Sequence, residues 1–305
     1  MIALTSLHLL LTYQCNYECD HCFVWGSPLQ DGVMTMAQVR DIYRQGQELG
    51  TVTSIYLEGG EPFLYYPIMV WAAREAAERG FQVGVLSNNY WATTVEDAME
   101  WLRPFAGIVH DLSISTDLFH SDAVMDDHAR NALAAAEQLG IPVGTLICDV
   151  PEGVAGYPAQ EKGAPVESGA IMFKGRAAVK LVDGVARRPW SAFDACPYET
   201  LDDPGRVHVD PLGYLHLCQG INMGNLFERP LAELVAAYDP QAHPVVGPLL
   251  RGGPAALVAA YDLPHGDAYV DACHLCYTAR LALRERFPQV LGPDQMYGDF
   301  REELR

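Results

Sequence analysis

Three cysteines open the chemistry of this chain. Cys15, Cys19 and Cys22 stand in Cys15-Asn-Tyr-Glu-Cys19-Asp-His-Cys22, directly after the apolar run Leu7–Thr12. Thiolates are soft ligands that select zinc, copper(I) or iron–sulfur clusters over hard cations. A structural zinc site takes four protein ligands, and this loop offers three. A disulfide with a spare thiol is the bland alternative. A four-iron four-sulfur cluster on three cysteines would instead leave one iron open to a further ligand. A second stretch, Glu58-Gly59-Gly60-Glu61-Pro62, follows the strand-like Thr53–Leu57. Its paired glycines let backbone approach a bound group closely, although Gly59-Gly60-Glu61-Pro62 could be a simple turn. The C-terminal third adds Cys196, Cys218, Cys273 and Cys276. Alternation on both sides of Asp210-Pro-Leu-Gly213 reads as a β-hairpin, whose second strand ends at Cys218. Four cysteines there could hold a cluster or a structural zinc, but their spacing is unlike the short zinc-ribbon patterns. Cys148 stands alone at the end of a strand, either a small buried hydrophobe or a thiol aimed at the site.

The cysteine loop followed by Gly-Gly-Glu-Pro resembles the radical S-adenosylmethionine (radical SAM) enzymes. The resemblance implies that Cys15, Cys19 and Cys22 hold a 4Fe-4S cluster whose open iron chelates SAM. It further implies that Gly59, Gly60 and Glu61 receive the SAM ammonium. By the same resemblance Ser87, Asn88, Ser113, Ser115 and Asp117, at the ends of strands three and four, contact its carboxylate and ribose. The family usually has an aromatic residue before the third cysteine, near the adenine; here it is His21. Lys174-Gly175-Arg176 resembles a Gly-Arg of family members with extra clusters, where Arg176 could bind a substrate carboxylate or phosphate, cap a helix or accept a proton. The later cysteines resemble the twitch domain, the short form of the SPASM domain, and imply one auxiliary 4Fe-4S cluster on Cys196, Cys218, Cys273 and Cys276. His274, inside the last pair, is expected to face solvent. The implied activity is one-electron cleavage of SAM to a 5′-deoxyadenosyl radical that takes a substrate hydrogen. As in the butirosin-pathway type of radical SAM dehydrogenase, the expected outcome is oxidation, with the auxiliary cluster as electron acceptor. The alternative is maturation of a ribosomally made peptide by epimerisation or crosslinking, with Cys148 as hydrogen-atom donor. A small-molecule or peptide substrate and a flavodoxin- or ferredoxin-type electron donor are the expected partners.

Those residues need a scaffold. Strands are read near Leu7–Thr12, Thr53–Leu57, Gln82–Leu86, Asp111–Ser115, Val143–Cys148 and Ala170–Phe173, spaced after the first by about one βα unit. Thr35 to Gln38 and Thr93 to Glu96 read as capping boxes, Pro67 and Gly80 bracket a helix, and Ser121 could cap another. Helices are also read near Ala232–Tyr238 and over Tyr277–Phe287, the latter opened by Cys273-His-Leu-Cys276. The expected fold class is α/β: a partial (β/α)6 TIM-type barrel over 1–190, then a small α+β twitch domain over 191–305. Loops after parallel strands share one face, so the motifs would share one mouth. Pro151–Gly169, rich in Gly and Pro, is a candidate lid. Half the residues are hydrophobic, enough for a sizeable core, and the net charge is −19 without a basic run. That argues against nucleic acid, which needs a basic footprint. No stretch is long and apolar enough for a membrane span, and eight cysteines without a signal peptide suggest a reducing, cytoplasmic setting.

Overall fold

The computed structural model describes residues 2–120, 125–151 and 168–299. Its first six strands are β1 (Ser6–Leu10), β2 (Ser54–Glu58), β3 (Gln82–Ser87), β4 (Val109–Ser115), β5 (Val143–Asp149) and β6 (Ser168–Ala170). They lie side by side in chain order, every pair parallel. That order is the one a barrel segment uses, with each strand laid beside the last after a crossover. Period-two alternation divides the faces. Leu7, Leu9, Ile55, Leu57, Val83 and Val85 are buried on the side that packs on the helices. Their in-register neighbours His8, Tyr56 and Gly84 share the opposite face.

The helices between these strands start where local chemistry dictates. Helix α1 (Met36–Leu49) opens on the expected capping box, Thr35 accepting from the Gln38 amide, and Val39, Ile42 and Tyr43 are fully buried. Each such side chain contributes roughly 1.5–3 kcal/mol. Helix α2 (Tyr66–Glu78) carries Pro67 in its first turn. In α3 (Val95–Leu102) the cap is Thr94, accepting from Asp97, one residue later than the sequence suggested; the Thr93 hydroxyl instead reaches the Asp97 carboxylate at 2.7 Å. Helix α4 (Asp127–Gln138) is capped by Asp126. The Ser121 cap lies outside the described residues, as does most of the Pro151–Gly169 lid. Strand β6 ends where the sequence expected it to begin. Ile171–Lys174 leave the ladder and run towards the cysteine loop, where Gly175 and Arg176 are anchored.

Beyond β6 come α5 (Ala177–Lys180), β7 (Arg188–Pro189), β8 (Arg206–Val209), β9 (Tyr214–Cys218) and β10 (Ile221–Asn225). Next are α6 (Leu231–Ala237), α7 (Val246–Tyr261), β11 (Ala268–Tyr269) and α8 (Ala272–Leu283). The expected hairpin is β8–β9. Sequence reasoning missed where it goes: β8 pairs in parallel with β1, so β8, β9 and β10 extend the first sheet into nine strands. The turn is tied down by Asp210, which accepts from the Leu212 and Tyr214 amides and from the Tyr13 hydroxyl at 2.6 Å. Helix α7 bends sharply at Gly252 and Gly253. No helix among the described residues is long and apolar enough to cross a membrane.

Candidate active site

The loop after β1 is built around its sulfurs. The Tyr17 amide and the Asn88 side-chain amide point at Cys15 Sγ, at 3.4 and 3.5 Å, and the Gly26 amide at Cys22 Sγ, at 3.2 Å. Donors aimed at sulfur favour the thiolate that a metal needs. Without a cation, burial dominates and pushes the Cys15 thiol up to about 12. None of the eight cysteines forms a disulfide.

Arg176 closes this loop from outside. Its guanidinium donates to the Cys19 and Gly26 carbonyls at 2.7 and 2.8 Å and lies over the Trp25 ring. Gly175 adopts φ +62°, and a Cβ there would fall 2.5 Å from Phe23 Cα. Lys174-Gly175-Arg176 is thus a clasp on the cysteine loop. Arg176 is not among the residues that line the cavity described below.

Gly-Gly-Glu-Pro docks on the same loop from inside. The Gly60 amide donates to Thr12 O and the Glu61 amide to Gln14 O, at 2.7 and 2.9 Å. A Cβ on Gly60 would sit 2.2 Å from Gln14 O, so the close backbone approach is made to the stem of the cysteine loop. The Glu61 side chain turns away from the cavity. Fully buried, it accepts from the Phe63 amide, the Ser87 hydroxyl and the Asn88 amide at 3.0, 2.9 and 2.7 Å. Burial is the largest influence and raises its carboxyl to about 7.

Between these walls lies a cavity of about 480 Å³. Cys15, Cys19, Cys22, Gly59, Gly60, Ser87, Asn88, Ser115, Asp117 and Cys148 all line it. Glu61 and Ser113 do not; the Ser113 hydroxyl is spent on Asp111 at 3.1 Å. Asp117 organises the far wall: it accepts from the Phe119 and Cys148 amides and holds His120 Nδ1 at 2.8 Å. His21 reaches Asp117 at 3.7 Å and stacks on Phe119 with centroids 4.7 Å apart. Burial lowers its pKa to about 4, leaving a neutral ring. Burial also pushes the Cys148 thiol up to about 12, so it carries its hydrogen at neutral pH. Tyr17, His120 and Lys174 line the cavity too. Sequence reasoning quoted Tyr17 and Lys174 within motifs without giving either a role, and it passed over His120, three residues after Asp117.

The later cysteines also converge. Cys196, Cys218, Cys273 and Cys276 line one small cavity with Tyr198, Glu199 and Arg280. Cys273 and Cys276 lie inside α8, whose cap is Asp271, so the helix starts earlier than expected. His274 is buried, not solvent-facing; its Nδ1 accepts from the Val270 amide and its ring packs edge-on against Tyr269. Lys174 lines both cavities, its ammonium 3.7 Å from Cys218 Sγ and 3.7 Å from Glu199.

Part of the chain is similar to known proteins. Residues 9–154 match the family model of the Radical SAM superfamily, and the radical SAM assignment is supported by that match. YydG of Bacillus subtilis (strain 168), named for peptide biosynthesis, is 27% identical over 42% of this chain and 40% of its own. An S-adenosylmethionine-dependent nucleotide dehydratase of Fibrobacter sp. (strain UWH6) is 24% identical over 42% of this chain and 36% of its own. The chain thus matches about two fifths of the length of these relatives. Among solved structures, SuiB of Streptococcus suis bound to S-adenosylmethionine aligns with a TM-score of 0.45 and 14% identity, over 78% of this chain and 67% of that one.

Proposed function

We propose that the chain is a radical SAM enzyme that takes a hydrogen atom from a peptide-type substrate and returns one from Cys148. The observation that carries this reading is the single cavity shared by the three loop cysteines, the Gly-Gly turn and Cys148. Cys15, Cys19 and Cys22 would hold a 4Fe-4S cluster; their fit rests on three soft donors with amides already turned to two of the sulfurs. When bound, the cluster and SAM supply a carbon-centred radical able to abstract hydrogen. Gly59, Gly60, Ser87, Asn88, Ser115 and Asp117 form the walls that would orient SAM. Glu61 acts from behind by fixing Ser87 and Asn88.

Cys148 then decides the outcome. A protonated thiol in the cavity wall can give its hydrogen atom to a substrate carbon radical, restoring the C–H bond and leaving a thiyl radical. One electron from a flavodoxin- or ferredoxin-type donor and one proton reset it. The peptide-biosynthesis name of the relative YydG favours a peptide over a small molecule. Oxidation of the substrate, with an auxiliary 4Fe-4S cluster on Cys196, Cys218, Cys273 and Cys276 as acceptor, is the second reading. It is favoured by Lys174, which touches both cavities. A twitch-like unit over 191–305 and a barrel over 1–190 belong to the same reading. Turnover in deuterated water separates the two. Hydrogen return predicts deuterium at the reacting carbon, lost in Cys148→Ala while SAM is still cleaved. An unlabelled, oxidised product formed equally by Cys148→Ala would establish oxidation instead.

A further inference from the structure

Beneath the cavity, on the face of the sheet away from the helices, three side chains converge that the SAM reading does not use. His8 comes from β1, Glu58 from β2 and His208 from β8. His8 Nδ1 and His208 Nε2 each lie 3.1 Å from the same oxygen, Glu58 Oε1. We infer that His8, Glu58 and His208 form a binding site for one borderline divalent transition cation, with zinc as the reference metal.

The spacing that lets both imidazoles hydrogen-bond to Glu58 also fits a metal. With bonds of ~2.0–2.1 Å, neighbouring ligand atoms of tetrahedral zinc stand about 3.3 Å apart. Both nitrogen–oxygen separations are within a few tenths of that edge. Imidazole and carboxylate are a donor set that zinc accepts. Charge points the same way. Among the described residues the only ion-pair partners of Glu58 are these two histidines, and neither Lys nor Arg reaches it. A buried carboxylate without a fixed cation is costly, and a dication would offset it.

The ligands are also held in place beforehand. The His8 ring lies flat on Tyr56, centroids 4.4 Å apart and planes 9° from parallel. Tyr56 is fixed by its hydroxyl donating to Asp111 at 3.0 Å and by Gly84 beneath it, where a Cβ would fall 2.3 Å from the ring. Such support around ligating histidines tunes metal affinity. Glu58 lines the cavity, so the fourth position would be open to water or to an oxygen or nitrogen of the substrate.

The test is made on the cluster-loaded full-length protein, purified anaerobically, offered zinc and desalted. About one zinc per chain is expected, and zinc-edge X-ray absorption should show nitrogen and oxygen ligands with imidazole scattering and no sulfur. His208→Gln and His8→Gln should each weaken zinc binding by at least roughly 10-fold while iron content and SAM cleavage persist, which separates this site from the SAM reading. Iron retention also certifies that a variant has folded; His208→Asn replaces either one that loses iron. No zinc, zinc with sulfur ligands, or zinc retained equally by the variants would overturn the proposal.

Discussion

At the scale of single residues, burial sets which partners a side chain meets. Glu61 reads as a ligand for a cationic group, yet its carboxylate is enclosed by three donors and ties the turn after β2 to the end of β3. Glu61→Gln puts an amide NH₂ against the Asn88 amide or the Ser87 hydroxyl, and one of the three bonds is lost. A buried donor left unpaired costs about 1–3 kcal/mol, measured as a lower urea midpoint at neutral pH. The pH dependence has a definite sign. Burial raises the folded-state pKa to about 7, above the ~4.3 of an unfolded Glu, so between these values the folded chain binds the proton more tightly. The contribution is therefore fully present below ~4.3 and is lost as pH rises through about 7. The stability difference between wild type and Glu61→Gln should change across that window; a difference independent of pH would refute the buried titration.

At the scale of elements, three segments far apart in sequence hold the cysteine loop. Gly59-Gly60 presses on its stem, Gly175-Arg176 clasps its outer edge, and Tyr13 ties it to the β8–β9 turn. Gly60→Ala introduces a methyl 2.2 Å from Gln14 O, against backbone that cannot swing aside. Expected outcomes are a displaced loop, reduced iron on Cys15, Cys19 and Cys22, and little SAM binding. Iron content and SAM titration measure these, and an alanine variant with full iron and unchanged affinity would show that the close approach is dispensable. Arg176→Lys keeps the charge but cannot span two carbonyls, so it should lower the iron retained on dilution.

At the scale of the whole molecule, the C-terminal strands β8–β10 and the first six strands share a sheet. Since β8 pairs with β1, a fragment of residues 1–190 exposes an edge strand along β1 and strips Leu4, Leu7 and Leu9 of part of their surroundings. Unpaired strand edges invite association. The fragment should aggregate or lack a cooperative unfolding transition, whereas two independent domains would let it unfold cooperatively as a monomer. Thermal scans with light scattering distinguish these.

What the sequence alone determined is the chemistry whose parts are close together along the chain. Cys15, Cys19 and Cys22 lie within one loop, Gly59-Gly60-Glu61 within one turn, and the parallel strands announce themselves by apolar runs at βα spacing. Caps such as Thr35 are legible because they act over three residues. Tertiary structure decided what depends on direction and on distant partners. Whether a carboxylate faces the cavity or the core depends on neighbours from another strand, as with Glu61 and Ser87. Arg176 became a clasp because Ile171–Lys174 leave the sheet early and bring it beneath the carbonyls of Cys19 and Gly26. His8, Glu58 and His208 meet only because β8 returns to the edge of β1 some 200 residues later. Period-two patterning can say that β8 is a strand, but every edge offers the same row of amides and carbonyls, so pairing is chosen by packing and not by spacing.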